Sequence, residues 1–189
     1  MAYRRGFKTE ANSIATEVRS ELSLTALDAL DPWALAAHLG IPVWPLSSLG
    51  DDAKTAIHHL RDVDQGAFSA VTVFCGTKRT IVHNDGHVRG RQASDVAHEL
   101  SHGLLQHPPT PALDDRGCRD WNEDIEDEAQ WLAGALLITE DAALWIARGN
   151  ASEDEAAARF GVTRRMVHYR LNVTGARTRV ARARKFRVV

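Results

Sequence analysis

His98-Glu99-Leu100-Ser101-His102 constrains this chain more than any other stretch, because its chemistry is coherent only on a helix. Residues four apart share a helical face, so an α-helix stacks the two imidazoles one turn apart with the Glu99 carboxylate beside them. Two ring nitrogens so placed can share one Zn²⁺, and Glu99 can reach a water on that ion as general base. Zinc brings the pKa of such a water down towards ~7, which makes a nucleophile available at neutral pH. The flanking residues predict the helix. Ser94 is the expected cap, Asp95 suits the positive end of the dipole, and Val96, Ala97, Leu100, Leu104 and Leu105 form an apolar stripe that His107-Pro108-Pro109 ends.

The pentapeptide alone also fits two ordinary, partly buried histidines, so a third ligand has to decide. A catalytic zinc takes three protein ligands and keeps one position open. Past a polar loop from Pro108 to Asn122, residues 123–137 begin acidic and become apolar, the pattern of a helix entering a core. Spacing puts Glu126, Ala129, Gln130, Ala133 and Leu137 on one face, where the alanines allow a neighbouring helix close. Glu126 is the expected third ligand. Glu128 and Glu123 are the alternatives, because periodicity does not fix which carboxylate of an acidic first turn points inward.

Taken together, His98-Glu99-Leu100-Ser101-His102 and the run Glu126, Ala129, Gln130, Ala133, Leu136, Leu137 resemble the ImmA/IrrE family of bacterial and phage zinc metallopeptidases. The likeness extends to Ile81-Val82-His83-Asn84, Arg91 and Val96-Ala97 ahead of the motif. It also takes in Ala15 to Arg19 and the stretch from Asp31-Pro32-Trp33 to Gly40-Ile41, and so covers most of residues 7 to 172. Three positions depart from the family pattern. Gln130 stands where Asn or Asp orients a zinc-bound histidine, Thr139 where a proline ends the helix, and Ser101 where glycine is frequent. None of them removes a ligand or the base. The resemblance implies an α+β fold, a mainly helical zincin-like metallopeptidase domain with a small sheet of about three strands. It implies Zn²⁺ as cofactor, with Mn²⁺ as the alternative, and a helix-turn-helix transcriptional repressor as substrate, cleaved to relieve repression after DNA damage or in mobile elements. A toxin–antitoxin or general stress-response role is the other setting.

A chain of 189 residues, 44% hydrophobic and 25% charged, can bury a full core. No segment approaches a membrane span, and Met1 to Glu10 lacks an apolar signal core, so a cytoplasmic protein is expected. The two cysteines, Cys75 in an apolar run and Cys118 in a polar loop, have no metal-ligand spacing, and a structural disulfide is not expected. Helices are predicted over Asn12 to Leu22, from Asp31-Pro32 to Gly40, and over Asp51 to Arg61. The prolines of Ile41-Pro42-Val43-Trp44-Pro45-Leu46 suit an edge strand. Ala67 to Cys75 and Arg79 to His83 read as a hairpin around Gly76-Thr77-Lys78. In peptidases that the motif resembles, an edge strand beside the metal helix binds extended substrate, and the segment around Phe68-Ser69-Ala70-Val71 is the candidate. His83 and His87 flank a turn near the metal helix, where either is a candidate oxyanion donor or a locally bonded histidine. His58 and His59 read as helix-surface residues. His107, near a helix C-terminus, needs no catalytic role.

The C-terminal part differs in character. Ser152-Glu153-Asp154-Glu155 is a capping box, Gly161-Val162-Thr163 a tight turn, and Arg164 to Leu171 a second helix, which together have helix-turn-helix spacing. From Arg164 onward there are nine Lys or Arg residues and no acidic one, which suits DNA or an acidic protein surface. The expected organisation is a metallopeptidase domain over residues 1–150, a helix-turn-helix-like segment over 151–173 and a basic tail over 174–189. Two functions compete: an endopeptidase with Glu99 as base and His98, His102 and Glu126 as ligands, and a DNA-binding regulator with a structural or vestigial metal site. In the first, the helical pair packs through Val162, Met166, Val167 and Leu171 or docks the substrate. Oligomeric state is not encoded in any recognisable pattern.

Overall fold

In the computed structural model, residues 3–108 and 122–186 are described. The chain is mainly helical with one small sheet, an α+β arrangement. Helix α1 (Phe7–Glu21) buries Phe7, Ala11, Ala15 and Val18, one stripe at helical spacing. It begins earlier than the predicted Asn12 because Gly6, at φ 84°, turns the chain so that Phe7 meets Trp131 edge-on. In α2 (Pro32–His38) the Asp31 carboxylate accepts from the Trp33 amide at 3.0 Å, and Gly40 at φ 66° closes the turn beyond the helix.

Strand β1 (Val43–Pro45) lies at one edge of the sheet, as its prolines require, and pairs in parallel with β3 (Lys78–His83). Strand β2 (Ala70–Cys75) pairs antiparallel with β3 and forms the other edge. Between β1 and β2 the expected third helix is broken up: only Lys54–His58 (α3) is α-helical, flanked by a 3₁₀ turn and a π-helical turn.

Helix α4 (Arg89–Leu104) carries the pentapeptide, and its start corrects the sequence reading. Ser94 is not the cap; it sits inside the helix and its hydroxyl donates to the Gly90 carbonyl at 3.1 Å. The true start at Val88 has no side-chain cap. Tertiary packing holds it, since a Cβ on Gly90 would stand 2.6 Å from the Val162 carbonyl carbon. Helix α5 (Glu123–Leu137) has the predicted bounds, with the Asn122 side chain accepting from the Asp124 and Ile125 amides. Thr139 has a capping role: it donates to the Ala26 carbonyl and accepts from the Ala142 amide, starting α6 (Glu140–Trp145).

The C-terminal pair is α7 (Glu153–Phe160), opened by the predicted capping box, and α8 (Arg164–Val173), with Gly161 between them at φ 65°. Within the expected basic tail, residues 176–186 form helix α9 (Ala176–Phe186), which buries Ala176 and Val180. Arg177 pairs with Glu153 and Arg179 with Glu140, so basic side chains anchor the helix.

Helices α4 and α5 run through two cores. Val96, Leu100, Trp131, Leu132 and Leu136 pack with Phe7 and Leu35 on one side. Ala97, Ala133 and Leu137 pack with Phe160, Met166, Val167 and Leu171 on the other. Arg19 ties α1 to the end of α5, its buried guanidinium donating to the carbonyls of Thr25, Asp28 and Leu136. Among the described residues no helix is long and apolar enough to cross a membrane. Residues 109–121, on which the expected polar loop and Cys118 fall, lie outside the described residues, and Cys75 is an exposed free thiol.

Candidate active site

Helix α4 presents His98 and His102 on one face, and α5 crosses it closely enough to bring Glu126 onto both. His98 Nε2 lies 3.0 Å from His102 Nε2 and 3.1 Å from Glu126 Oε2, and His102 Nε2 lies 3.8 Å from Glu126 Oε1. One ligand atom from each residue falls within 4.8 Å of the others, so the cluster could hold a metal ion. The edges of this triangle match the donor set. Bonds of ~2.1 Å at tetrahedral angles separate ligand atoms by ~3.4 Å. The three side chains are 20%, 23% and 21% exposed, so solvent reaches the cluster. The groups fit a metal held by three protein ligands.

Glu126 meets the histidines where the alternatives do not: Glu123 is exposed, and Glu128 pairs with Arg4 at 3.1 Å. Glu126→Ala is therefore expected to weaken metal binding by more than the ~10–100-fold typical of losing an outer partner. Chelator competition measures this, and unchanged metal content would move the third ligand to Glu128 or Glu123.

Glu99 is turned towards the sheet. Thr72 on β2 donates its hydroxyl to Glu99 Oε2 at 2.6 Å, a short charge-assisted bond from an edge strand to the candidate base. Thr72→Val is expected to slow peptide cleavage roughly tenfold, with Thr72→Ser restoring it, since the hydroxyl fixes the carboxylate's orientation. Equal rates for the parent and the valine variant would show the contact to be idle. One turn beyond Glu99, a Cβ on Gly103 would come within 2.5 Å of Arg79 Nη1, so the bare glycine leaves room for a guanidinium that also lies over Phe74. Ser101 is fully buried and satisfied by the Ala97 carbonyl at 2.7 Å, so a hydroxyl is accommodated at this position.

The other singled-out residues sort plainly. Buried His87 bridges Asp95 (3.1 Å) and the Gln65 carbonyl (2.8 Å), a local structural role rather than an oxyanion donor. His83 is buried with its ring edge-on to Trp33, and burial pushes its pKa below the usual histidine value. His58 pairs with Asp62 on the surface. Gln130 is exposed, one position past buried Ala129, and does not orient a site histidine among the described residues. In the Phe68 to Val71 segment, Ser69 receives Arg91 at 3.1 Å, and the strand proper runs on to Cys75 along the sheet edge.

His107 is the residue that sequence reasoning missed. After Leu104 the chain turns through Gln106 in the left-handed region, φ 55°, which costs a non-glycine residue ~1–2 kcal/mol. The Gln106 amide bonds the Gly103 carbonyl, and the His107 amide bonds the His102 carbonyl at 3.0 Å, folding His107 back on the helix end. Its Nδ1 then lies 3.0 Å from His102 Nδ1, and Glu128 Oε2 stands 3.5 Å from its Nε2. Burial depresses the His107 pKa against the opposing pull of Glu128. No sequence signal marks this turn, because the usual glycine is absent.

Two imidazoles and a carboxylate converging beside a second carboxylate on the same helix are the donor chemistry of the metallopeptidases. Residues 38–172 match the family model Peptidase_M78, the IrrE N-terminal-like domain, and the chain belongs to this metallopeptidase family. No curated protein sequence matches it.

Proposed function

We propose that the protein is a zinc-dependent endopeptidase that hydrolyses a peptide bond in a helix-turn-helix transcriptional repressor and so relieves repression. One observation carries this reading: His98, His102 and Glu126 converge on a common point while Glu99, from the same helix, is held by Thr72 on an edge strand. Ligands and base are thus separate groups. A purely structural zinc site is normally closed by a fourth protein ligand and has no use for a base.

His98, His102 and Glu126 would hold the ion. Bound there, Zn²⁺, or Mn²⁺ in its place, supplies Lewis acidity towards a water and a substrate carbonyl. Glu99 takes the proton from the attacking water and passes it to the leaving amine, a role worth ~10²–10⁴ in rate. Thr72 holds Glu99 Oε2 and so fixes the orientation of the carboxylate that handles that proton. The outer edge of β2 accepts an extended substrate by backbone pairing, which tolerates many sequences and leaves selectivity to side-chain pockets.

We read residues 1–150 as a zincin-like catalytic part and 151–173 as a helix-turn-helix-like segment. A DNA-binding regulator with a structural or vestigial metal site is the second reading. It is favoured by the exposed Arg164, Arg165 and His168 of α8 and the exposed Arg182, Arg184 and Lys185 of α9. Against it, Arg164 lies 3.5 Å from both Glu153 and Asp154 of α7, which offset its charge. The test is co-incubation of metal-loaded protein with the repressor encoded beside it, followed by intact mass. A discrete cut is expected. No cut, with one metal bound per chain, would overturn the repressor as substrate, and salt-dependent DNA binding would then support the second reading.

A further inference from the structure

We infer that His107 and Glu128 are positioning residues for His102, an outer chain that fixes which nitrogen of His102 faces the candidate metal. The inference rests on the metal-site reading above. The tautomers follow from the geometry. His102 Nε2 faces His98 and Glu126, so as a ligand it must offer a lone pair there, and its one ring proton must sit on Nδ1. That Nδ1 lies 3.0 Å from His107 Nδ1, a contact that works only if His102 donates and His107 accepts. His107 then carries its own proton on Nε2, the nitrogen that looks towards Glu128 Oε2 at 3.5 Å. This last contact is long and makes no formed hydrogen bond among the described residues. Glu128 is nonetheless the carboxylate beside that nitrogen, and Arg4 holds it from behind at 3.1 Å.

Each group thus has one role along the line His102, His107, Glu128, Arg4. Outer partners of this kind fix ring orientation and raise ligand basicity. The two ligand histidines differ in this respect, since His98 Nδ1 is buried with no hydrogen-bond partner among the described residues. The left-handed Gln106 turn, which a non-glycine residue adopts only at a cost, is what carries His107 back over His102. Glu128, a candidate ligand from sequence, is placed one layer outside the metal.

The test separates positioning from mere packing. Asparagine puts Oδ1 where His107 has Nδ1, so His107→Asn keeps an acceptor for His102, whereas His107→Leu keeps bulk and loses the acceptor. Zinc affinity is read by chelator competition on the full chain, with thermal unfolding of the metal-free forms as the control for fold. The leucine variant is expected to bind zinc ~10–100-fold more weakly, the asparagine variant within about threefold of the parent, and Glu128→Ala several-fold more weakly with one zinc still bound per chain. Parental affinity in the leucine variant, or equal loss in both His107 variants, would overturn the inference while leaving the metal site standing. A parent chain that binds no zinc would overturn both.

Discussion

Glu99→Gln is expected to leave zinc bound and the fold intact while cutting peptide hydrolysis by ~10²–10⁴, about 3–5 kcal/mol in transition-state free energy. The argument is local. Glutamine has the same shape and still offers a carbonyl oxygen to the Thr72 hydroxyl, which lies 2.6 Å from Glu99 Oε2 in the parent. It cannot take a proton from water. Metal affinity should hold because Glu99 is outside the cluster of His98, His102 and Glu126. Single-turnover cleavage and chelator competition on the same preparation separate the outcomes. Zinc retained with undiminished cleavage would remove Glu99 from the chemistry, and zinc lost would make it a ligand.

What sequence reasoning reached, and what it did not, follows from where the information lies. The bounds of α5 were readable because a capping Asn122 and an acidic first turn precede a long apolar run. The start of α4 was not, because Val88 offers no capping side chain and the helix is held by the close approach of Gly90 to Val162, a contact between residues far apart in the chain. Helix α9 escaped because its buried stripe is only Ala176 and Val180 within a run of arginines, and its anchors, Glu140 and Glu153, come from other helices. The site divides the same way. Four-residue spacing put the two imidazoles together, and helix periodicity proposed Glu126 to face them. The Thr72 contact depends on strand register, and the His107 contact on a left-handed turn at a glutamine, so neither had a local signature.

Phe160→Ala is expected to destabilise the whole chain by about 3–5 kcal/mol, although Phe160 lies far along the sequence from the metal motif. Phe160 is 1% exposed and belongs to the same apolar cluster as Ala97 of α4 and Ala133 and Leu137 of α5, the helices that carry the candidate ligands. The cavity would therefore open within the cluster that α4 and α5 share with the C-terminal pair. For a chain of this size each kcal/mol shifts the midpoint by roughly 2–4 °C, so a single cooperative transition about 6–20 °C below the parent's is expected. If residues 151–173 fold as an independent unit, calorimetry should instead show two transitions, with only the one for that unit displaced. A single shifted transition that rises when zinc is added would place the helical pair within the folding unit that shapes the metal site.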